Sequence, residues 1–291
     1  MKISKWILHN PYLLLLTPVI LLLMIYFVIP IAWVIRVSFY QNIAGGYMKA
    51  AWTVENYKRF LLDFWYIRQV LFFSFKIAIF TTIFSVVLAY PPALYITKSR
   101  GVIKQITITA SIAPLLISMV SLVFGWMVIF RTNGLLNQFT LWAGITSEPV
   151  KYLYNIKGVI ICLIYVSVPY IILNLLDSLG RINQSLEEAA MNVGASRLQC
   201  FFKIILPLST PGMFAGSIIV FSLNFCAFAI PLMMGGDRVP MAGVMIYRQA
   251  MIINNIPFSA AISVIVLFTT TILLVVYSRL MNKFMFKKLG V

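Results

Sequence analysis

Long runs of apolar residues recur along the whole chain, and the stretches between them hold most of the charged residues. Each run is roughly 20 residues or longer, the length that a helix needs to cross the hydrocarbon core of a bilayer. Several runs contain proline, which membrane helices tolerate when they are packed against neighbours. The pattern predicts an all-α membrane protein with six transmembrane helices, spans 1 to 6, over Leu13–Ile35, Val70–Tyr95, Ile106–Phe130, Gly158–Leu176, Met213–Met234 and Phe258–Leu280.

The composition points to the same class of protein, because 62% of the 291 residues are hydrophobic and only 10% are charged. No polar block is long enough for a separate soluble domain, so we predict one polytopic domain over residues 1–291. The net charge of +16 is typical of lysine and arginine at lipid headgroups rather than of nucleic-acid binding. The three cysteines and the one histidine, His9, match neither a disulfide framework nor a metal site, so we expect no metal and no cofactor.

The sequence offers little chemistry for catalysis. It contains no P-loop, no HExxH motif and no GxSxG motif, so we expect that this chain is not an enzyme. Lys76 is the one basic residue well inside an apolar run, and it is near enough to the end of span 2 to reach the headgroups. None of the seven carboxylates is predicted at mid-membrane: Glu55, Asp63, Glu148, Asp177, Glu187, Glu188 and Asp237.

The connection between spans 4 and 5, about residues 177–207, carries the most distinctive pattern. Ser185 followed three residues later by Glu188 predicts a capping box at the start of a first helix. Gly194 predicts a left-handed turn that ends this helix. Ser196 predicts the cap of a second helix, and Pro207 predicts its end. Asp177, at the start of this connection, is either a pore carboxylate or a solvated residue at a helix end.

This connection resembles the EAA motif, E-A-A-x3-G-x9-I-x-L-P, of the permease subunits of bacterial type I ABC importers, which have the MetI-like fold. The resemblance implies that the connection couples the permease to a separate ATPase subunit, on which ATP is hydrolysed. An ordinary pair of interfacial amphipathic helices is the alternative for the same residues. The motif positions, and hence the implied ATPase-coupling residues, are Glu188, Ala189, Ala190, Gly194, Ile204, Leu206 and Pro207.

The resemblance covers nearly the whole chain, through the segments ENYKRFL, LAYPPA, GLLN, LPLSTPG and LMMGGD. These segments are similar to the spermidine/putrescine branch of the family, and to its B-type permease subunit in particular. The implied partners are a second permease subunit in a heterodimer, two ATP-binding cassette subunits and an extracytoplasmic substrate-binding protein. A cytoplasmic coupling connection places both termini in the cytoplasm of a bacterial cell, in agreement with the dense lysine and arginine on the short connections of that side.

The same branch implies a small hydrophilic cargo, a polyamine. Aromatic faces hold ammonium groups without a fixed carboxylate. We therefore predict a substrate pathway along spans 4 and 5 at Tyr165, Asn174, Asn224 and Phe225. Lys76 and the net positive charge favour a different solute, such as an aminophosphonate or an opine. A secondary transporter is the alternative from another functional class.

Overall fold

The computed structural model describes residues 11–43 and 47–289, and most of these residues are helical. Five helices are long and apolar enough to cross a membrane: Leu16–Ser38, Phe64–Lys98, Ile156–Gly180, Arg197–Phe225 and Ile256–Met281, which are spans 1, 2, 4, 5 and 6. A sixth crossing, span 3, results if two helices that meet at a bend are counted as one span: Gly101–Leu116 and Met119–Ile129. The predicted multi-span helical architecture is therefore confirmed. Both chain termini and His9 lie outside the described residues.

Two spans differ from their prediction. Span 3 is not one continuous helix, because its halves meet at an angle of 101°. Ile117 and Ser118 are extended there, and Pro114 has already removed an N–H from the last turn of the first half. Span 5 runs from Arg197 to Phe225 rather than from Met213 to Met234. The chain leaves the helix at Cys226, so the predicted end was about two turns too late.

Short elements connect the spans. The strands β1 (Gln41–Ile43) and β2 (Tyr47–Lys49) pair antiparallel in the connection after span 1. Wide π turns interrupt three spans at Met24–Val28, Ile67–Phe72 and Phe201–Ile205. The other helical segments are Glu55–Leu62, Leu135–Trp142, Gln184–Asn192, Pro231–Gly235, Gly236–Arg238, Ala242–Tyr247 and Arg248–Ile252, and the last helix continues to Leu289.

The chain divides into two compact units, of which the first contains the residues up to 63 and residues 246–267. Within it, the connection after span 1 folds back on the end of that span. The Asn56 Nδ2 amide donates to the carbonyl oxygens of Ser38 and Tyr40, both at 2.9 Å. The guanidinium of Arg59 lies 4.4 Å from the centre of the Phe258 ring. These contacts stabilise the helix Glu55–Leu62 in this unit.

The second unit contains residues 64–245 and the chain from residue 268 onward, and it holds spans 2 to 5. Its interior has two hydrophobic clusters. One includes Ile77, Val123 and Val159. The other, which we call the coupling-end cluster, joins the second halves of spans 2 and 4 to span 5; it contains Ala89, Tyr90, Ala93, Ile96, Ile171, Ile172, Leu175, Leu179, Cys200, Ile205 and Val220.

Spans 4 and 5 approach each other closely where span 5 carries Gly212 and Gly216, a G-x-x-x-G pattern that brings membrane helices together. A Cβ atom at Gly212 would overlap the Ser178 hydroxyl and the Asn174 carbonyl. A Cβ atom at Gly216 would lie 3.1 to 3.3 Å from Ile171 and the Asn174 side chain. The two glycines therefore set the distance between the helix that precedes the 177–207 connection and the helix that follows it.

Candidate functional site

The first helix of the connection runs from Gln184 to Asn192, and Asn183 caps its N-terminus. The Asn183 side chain accepts a hydrogen bond from the Ser185 backbone N–H at 3.1 Å. The predicted capping box of Ser185 and Glu188 is therefore wrong, because Ser185 is already inside the first turn. Asparagine is among the best N-cap residues, and it takes the position here.

The turn between the two helices is as predicted. Gly194 has a φ of +89°, in the left-handed region. A Cβ atom there would meet no heavy atom of this chain within 4 Å, so the conformation alone favours glycine. Ser196 then caps the second helix in a complete capping box, since its hydroxyl accepts from Gln199 N–H at 3.3 Å and the Gln199 side chain accepts from Ser196 N–H at 2.9 Å.

The second helix does not end at Pro207, which corrects the prediction for that residue. Residues Arg197–Cys200, the π turn Phe201–Ile205 and Leu206–Phe225 form one continuous helix, span 5. A proline ring normally clashes with the carbonyl four residues earlier, which here belongs to Lys203. Lys203 lies inside the π turn, whose wider geometry accommodates the ring. The second half of the connection is therefore the first part of a membrane span.

The connection leaves apolar side chains uncovered. Val193 is 86% exposed and Leu198 is 71% exposed, although both lie in a short polar segment. Three further apolar residues, Leu186, Met191 and Phe202, are also exposed. On the other side of the second helix, Cys200 and Ile205 are buried in the coupling-end cluster. The helix thus has a buried face within this chain and an apolar face that nothing in the described chain covers.

Two neighbouring carboxylates at the start of the first helix have different surroundings. The Glu187 Oε2 atom lies 2.6 Å from the Lys98 Nζ atom at the end of span 2. Glu188 is exposed and has no hydrogen-bond or ion-pair partner among residues 11–43 and 47–289. Asp177 is 68% exposed and pairs with Arg181, four residues later at the same helix end. Asp177 is thus a solvated residue at a helix end, the second of the two readings of its sequence position.

The four residues predicted for the substrate pathway lie in different surroundings. Tyr165 is 38% exposed and packs edge-on against the Trp126 ring at 5.1 Å. Asn174 donates to the Tyr170 carbonyl at 2.8 Å. Asn224 and Phe225 are both buried at the end of span 5. No hydrogen bond or ring contact joins these four side chains to one another in the part of the chain that the structure describes.

Asn224 belongs to a buried polar cluster that the sequence analysis did not single out. Its Nδ2 amide donates to Thr81 Oγ1 on span 2 and to Ser167 Oγ on span 4, each at 3.0 Å. Interhelical hydrogen bonds in membranes are worth about 0.6 kcal/mol each. The sequence signal for this cluster is one polar residue in each of three apolar runs. That Asn224 pairs with Thr81 and Ser167 could not be deduced from one sequence.

The remaining chemistry of the described residues is sparse. They contain no group of three or more histidine, cysteine, aspartate or glutamate residues that could hold a metal ion. A cavity of about 510 Å³ lies among spans 2, 5 and 6, but no charged residue lines it, so it does not suit a hydrophilic solute. Lys76 is exposed in the first half of span 2, without an ion-pair partner in the described chain.

Comparison with known proteins decides the family. Residues 58–287 match the binding-protein-dependent transport system inner membrane component. The chain belongs to this family. The match includes spans 2 to 6 and the whole connection, and it establishes a multi-pass membrane permease of the MetI-like type.

Individual relatives support the assignment over most of the permease. The spermidine/putrescine transport system permease protein PotB of Escherichia coli is 32% identical over 264 residues, which are 90% of this chain and 95% of that protein. PotB of Haemophilus influenzae is 29% identical, over 97% of this chain and 98% of its own. One chain of a bacterial alginate ABC transporter, crystallised with an alginate-bound periplasmic protein, superposes with a TM-score of 0.79 at 18% identity, over 98% of this chain and 99% of its own.

Proposed function

We propose that this permease is one subunit of an ATP-driven importer and that its 177–207 connection docks on a separate ATPase subunit. The observation that carries the proposal is the uncovered apolar surface of Leu186, Met191 and Val193, which lie outside the spans and beside the motif positions 188–190 and 194. Exposed apolar patches with a polar surround are typical of protein–protein interfaces. The polar chain around the patch and the adjacent Glu188 carboxylate fit a groove on a soluble partner.

This role implies the other subunits of the importer. ATP hydrolysis takes place on two ATPase subunits, so this chain is not itself an enzyme. A second permease subunit completes the membrane part, and an extracytoplasmic binding protein delivers the cargo. The whole chain acts as one permease domain. With the connection in the cytoplasm, six crossings place both termini there as well.

The cargo is a polyamine. The support is the similarity to two permeases named for spermidine and putrescine transport, with nearly full coverage of both chains. We propose that Tyr165, Asn174, Asn224 and Phe225 contribute to the pathway. Tyr165 is the one with its ring partly exposed, so an aromatic face is available to an ammonium group. Asn224 and Phe225 would contribute by fixing the packing of spans 2, 4 and 5.

The test is purification of the tagged permease with its associated subunits, followed by reconstitution into proteoliposomes. ATP-dependent uptake is then measured side by side for spermidine, putrescine and 2-aminoethylphosphonate. We expect uptake of the polyamines only. Uptake of the phosphonate alone would overturn the polyamine assignment and leave the permease assignment standing. Uptake without a co-purified ATPase would indicate a secondary transporter.

Topology is tested by labelling single cysteines from outside, in a variant that lacks Cys162, Cys200 and Cys226. Gln138 and Asp237 are exposed on connections predicted to face outward, and Gln184 is exposed at the start of the first coupling helix. We expect labelling of Gln138→Cys and Asp237→Cys but not of Gln184→Cys. Labelling of Gln184→Cys in intact cells would contradict the proposed orientation.

A further inference from the structure

The inner end of span 2 is tied to the first coupling helix by an ion pair. Lys98 Nζ lies 2.6 Å from Glu187 Oε2, and the two residues are 89 positions apart in the chain. The Glu187 side chain is only 19% exposed, whereas the Lys98 side chain is 59% exposed. We leave Asp63, Asp237 and Arg248 out of the comparison. Among the other residues of 11–43 and 47–289, no second ion pair joins two different helices.

The positions of the two charges favour this pair. Lys98 is the last residue of its helix, where the negative end of the helix dipole stabilises a cation. Glu187 is in the first turn of its own helix, where the positive end stabilises a carboxylate. The two helix ends therefore favour the placement of these opposite charges next to each other.

The adjacent glutamates Glu187 and Glu188 face different surroundings. Glu187 is directed at its own chain, and its neighbour Glu188 is exposed. Because consecutive residues of a helix point about 100° apart, the first turn can contact span 2 and an external partner at the same time. The motif glutamate, Glu188, is thus free for docking, while the preceding glutamate attaches the helix to the membrane bundle.

Span 2 also contacts the second half of the connection. Tyr90, two turns before Lys98, shares a hydrogen bond with the Ser209 hydroxyl. Its ring packs edge-on against Phe201 at 5.4 Å. The last turns of span 2 therefore contact both halves of the connection, the first half through Lys98 and the second half through Tyr90.

We propose that Lys98 and Glu187 are a positioning pair that transmits the movement of the first coupling helix to span 2. Besides the pair, this helix is joined to the bundle through its two flanking loops, residues 181–183 and 193–196, and through Ala190, which packs against the coupling-end cluster. The pair adds a direct charged contact with the last residue of span 2, which leads through the link Ser99–Arg100 to the first half of span 3. The proposal rests on the proposed function, because it assumes that an ATPase moves this helix.

The test uses charge reversal in the reconstituted complex, with the number of solute molecules taken up per ATP hydrolysed as the readout. Lys98→Glu and Glu187→Lys each replace the attraction by repulsion. We expect this ratio to fall about fivefold in each, the change that corresponds to a surface ion pair at the strong end of its usual range. The double variant Lys98→Glu/Glu187→Lys restores the pair in reverse and should recover most of the ratio. Lys98→Arg should keep it.

The control is Lys104, an exposed lysine on the helix Gly101–Leu116 that has no ion-pair partner in the described chain. Lys104→Glu should leave the uptake ratio within twofold of the unaltered complex. An unchanged ratio in both Lys98→Glu and Glu187→Lys would overturn the positioning role. Failure of the double variant to recover would also overturn it. Absence of ATP-dependent uptake in the unaltered complex would instead refute the proposed function.

Discussion

The two halves of the 177–207 connection are fixed to the protein in different ways. The first helix, Gln184–Asn192, has no buried residue and is attached by short loops and by the Lys98–Glu187 ion pair. The second half is the beginning of span 5 and buries Cys200 and Ile205 in the coupling-end cluster. The first helix can therefore shift with small loss of packing, while the second cannot move without span 5.

This difference indicates how a force on the connection would be distributed. A push on the second half acts directly on a helix that packs closely against span 4 at Gly212 and Gly216. A push on the first half reaches the bundle through its two flanking loops, through the packing of Ala190 and through the ion pair. The first half is thus loosely attached to the bundle, and the second half is rigidly attached to it.

The largest expected effect is on the close packing of spans 4 and 5. Gly212→Ala places a Cβ atom onto the Ser178 hydroxyl and the Asn174 carbonyl, so spans 4 and 5 must separate. We expect destabilisation of about 1–3 kcal/mol, the usual cost of overpacking. Thermal unfolding in detergent measures it. The matched control is Gly125→Ala, where the added Cβ meets nothing within 4 Å and where no loss is expected.

The next effect concerns the turn between the halves. Gly194→Val forces a β-branched residue into a φ of +89°, which costs about 1–2 kcal/mol for an ordinary L-residue. We expect the reconstituted complex to lose about tenfold in coupled uptake, with normal amounts of permease in the membrane. Gly194→Asn is the control, because asparagine tolerates the left-handed region and should retain most uptake. Equal losses in both variants would indicate that the partner's groove, and not the backbone, requires glycine.

The sequence was sufficient for the approximate positions of spans 1, 2, 4 and 6, for the turn at Gly194 and for the Ser196 cap, because these depend on local composition and spacing. It was not sufficient for features that depend on neighbours in space. The break in span 3 lies within an apolar run, and Pro114 alone does not distinguish a kink from a bend of 101°. The Lys98–Glu187 pair and the Asn224 cluster join residues that only the packed helices bring together.

The caps offer a sharper contrast within the connection. Ser196→Ala removes the hydroxyl that accepts from Gln199 N–H, so the start of the second half should lose about 1 kcal/mol of local stability. Ser185→Ala leaves the Asn183 cap in place, because only the Ser185 backbone N–H takes part in it. We therefore expect faster amide hydrogen exchange over residues 197–200 in the first variant and no change over residues 184–188 in the second. Faster exchange in Ser185→Ala would show that the Ser185 side chain does cap the helix, as the sequence predicts.

Pro207 has the smallest expected effect, although it is one of the motif positions. In a straight α-helix its ring would clash with the Lys203 carbonyl, but the π turn Phe201–Ile205 already displaces that carbonyl. The orientation of the helix about its axis is also fixed independently, since Cys200 just before the turn and Ile205 at its end are both buried. Pro207→Ala should therefore change stability by no more than about 0.5 kcal/mol and leave coupled uptake within twofold. If uptake fell sharply while the permease remained folded, the proline itself would be what maintains the π turn and the direction of the exposed Leu198 and Phe202 side chains. The second half would then be less rigid than its burial indicates.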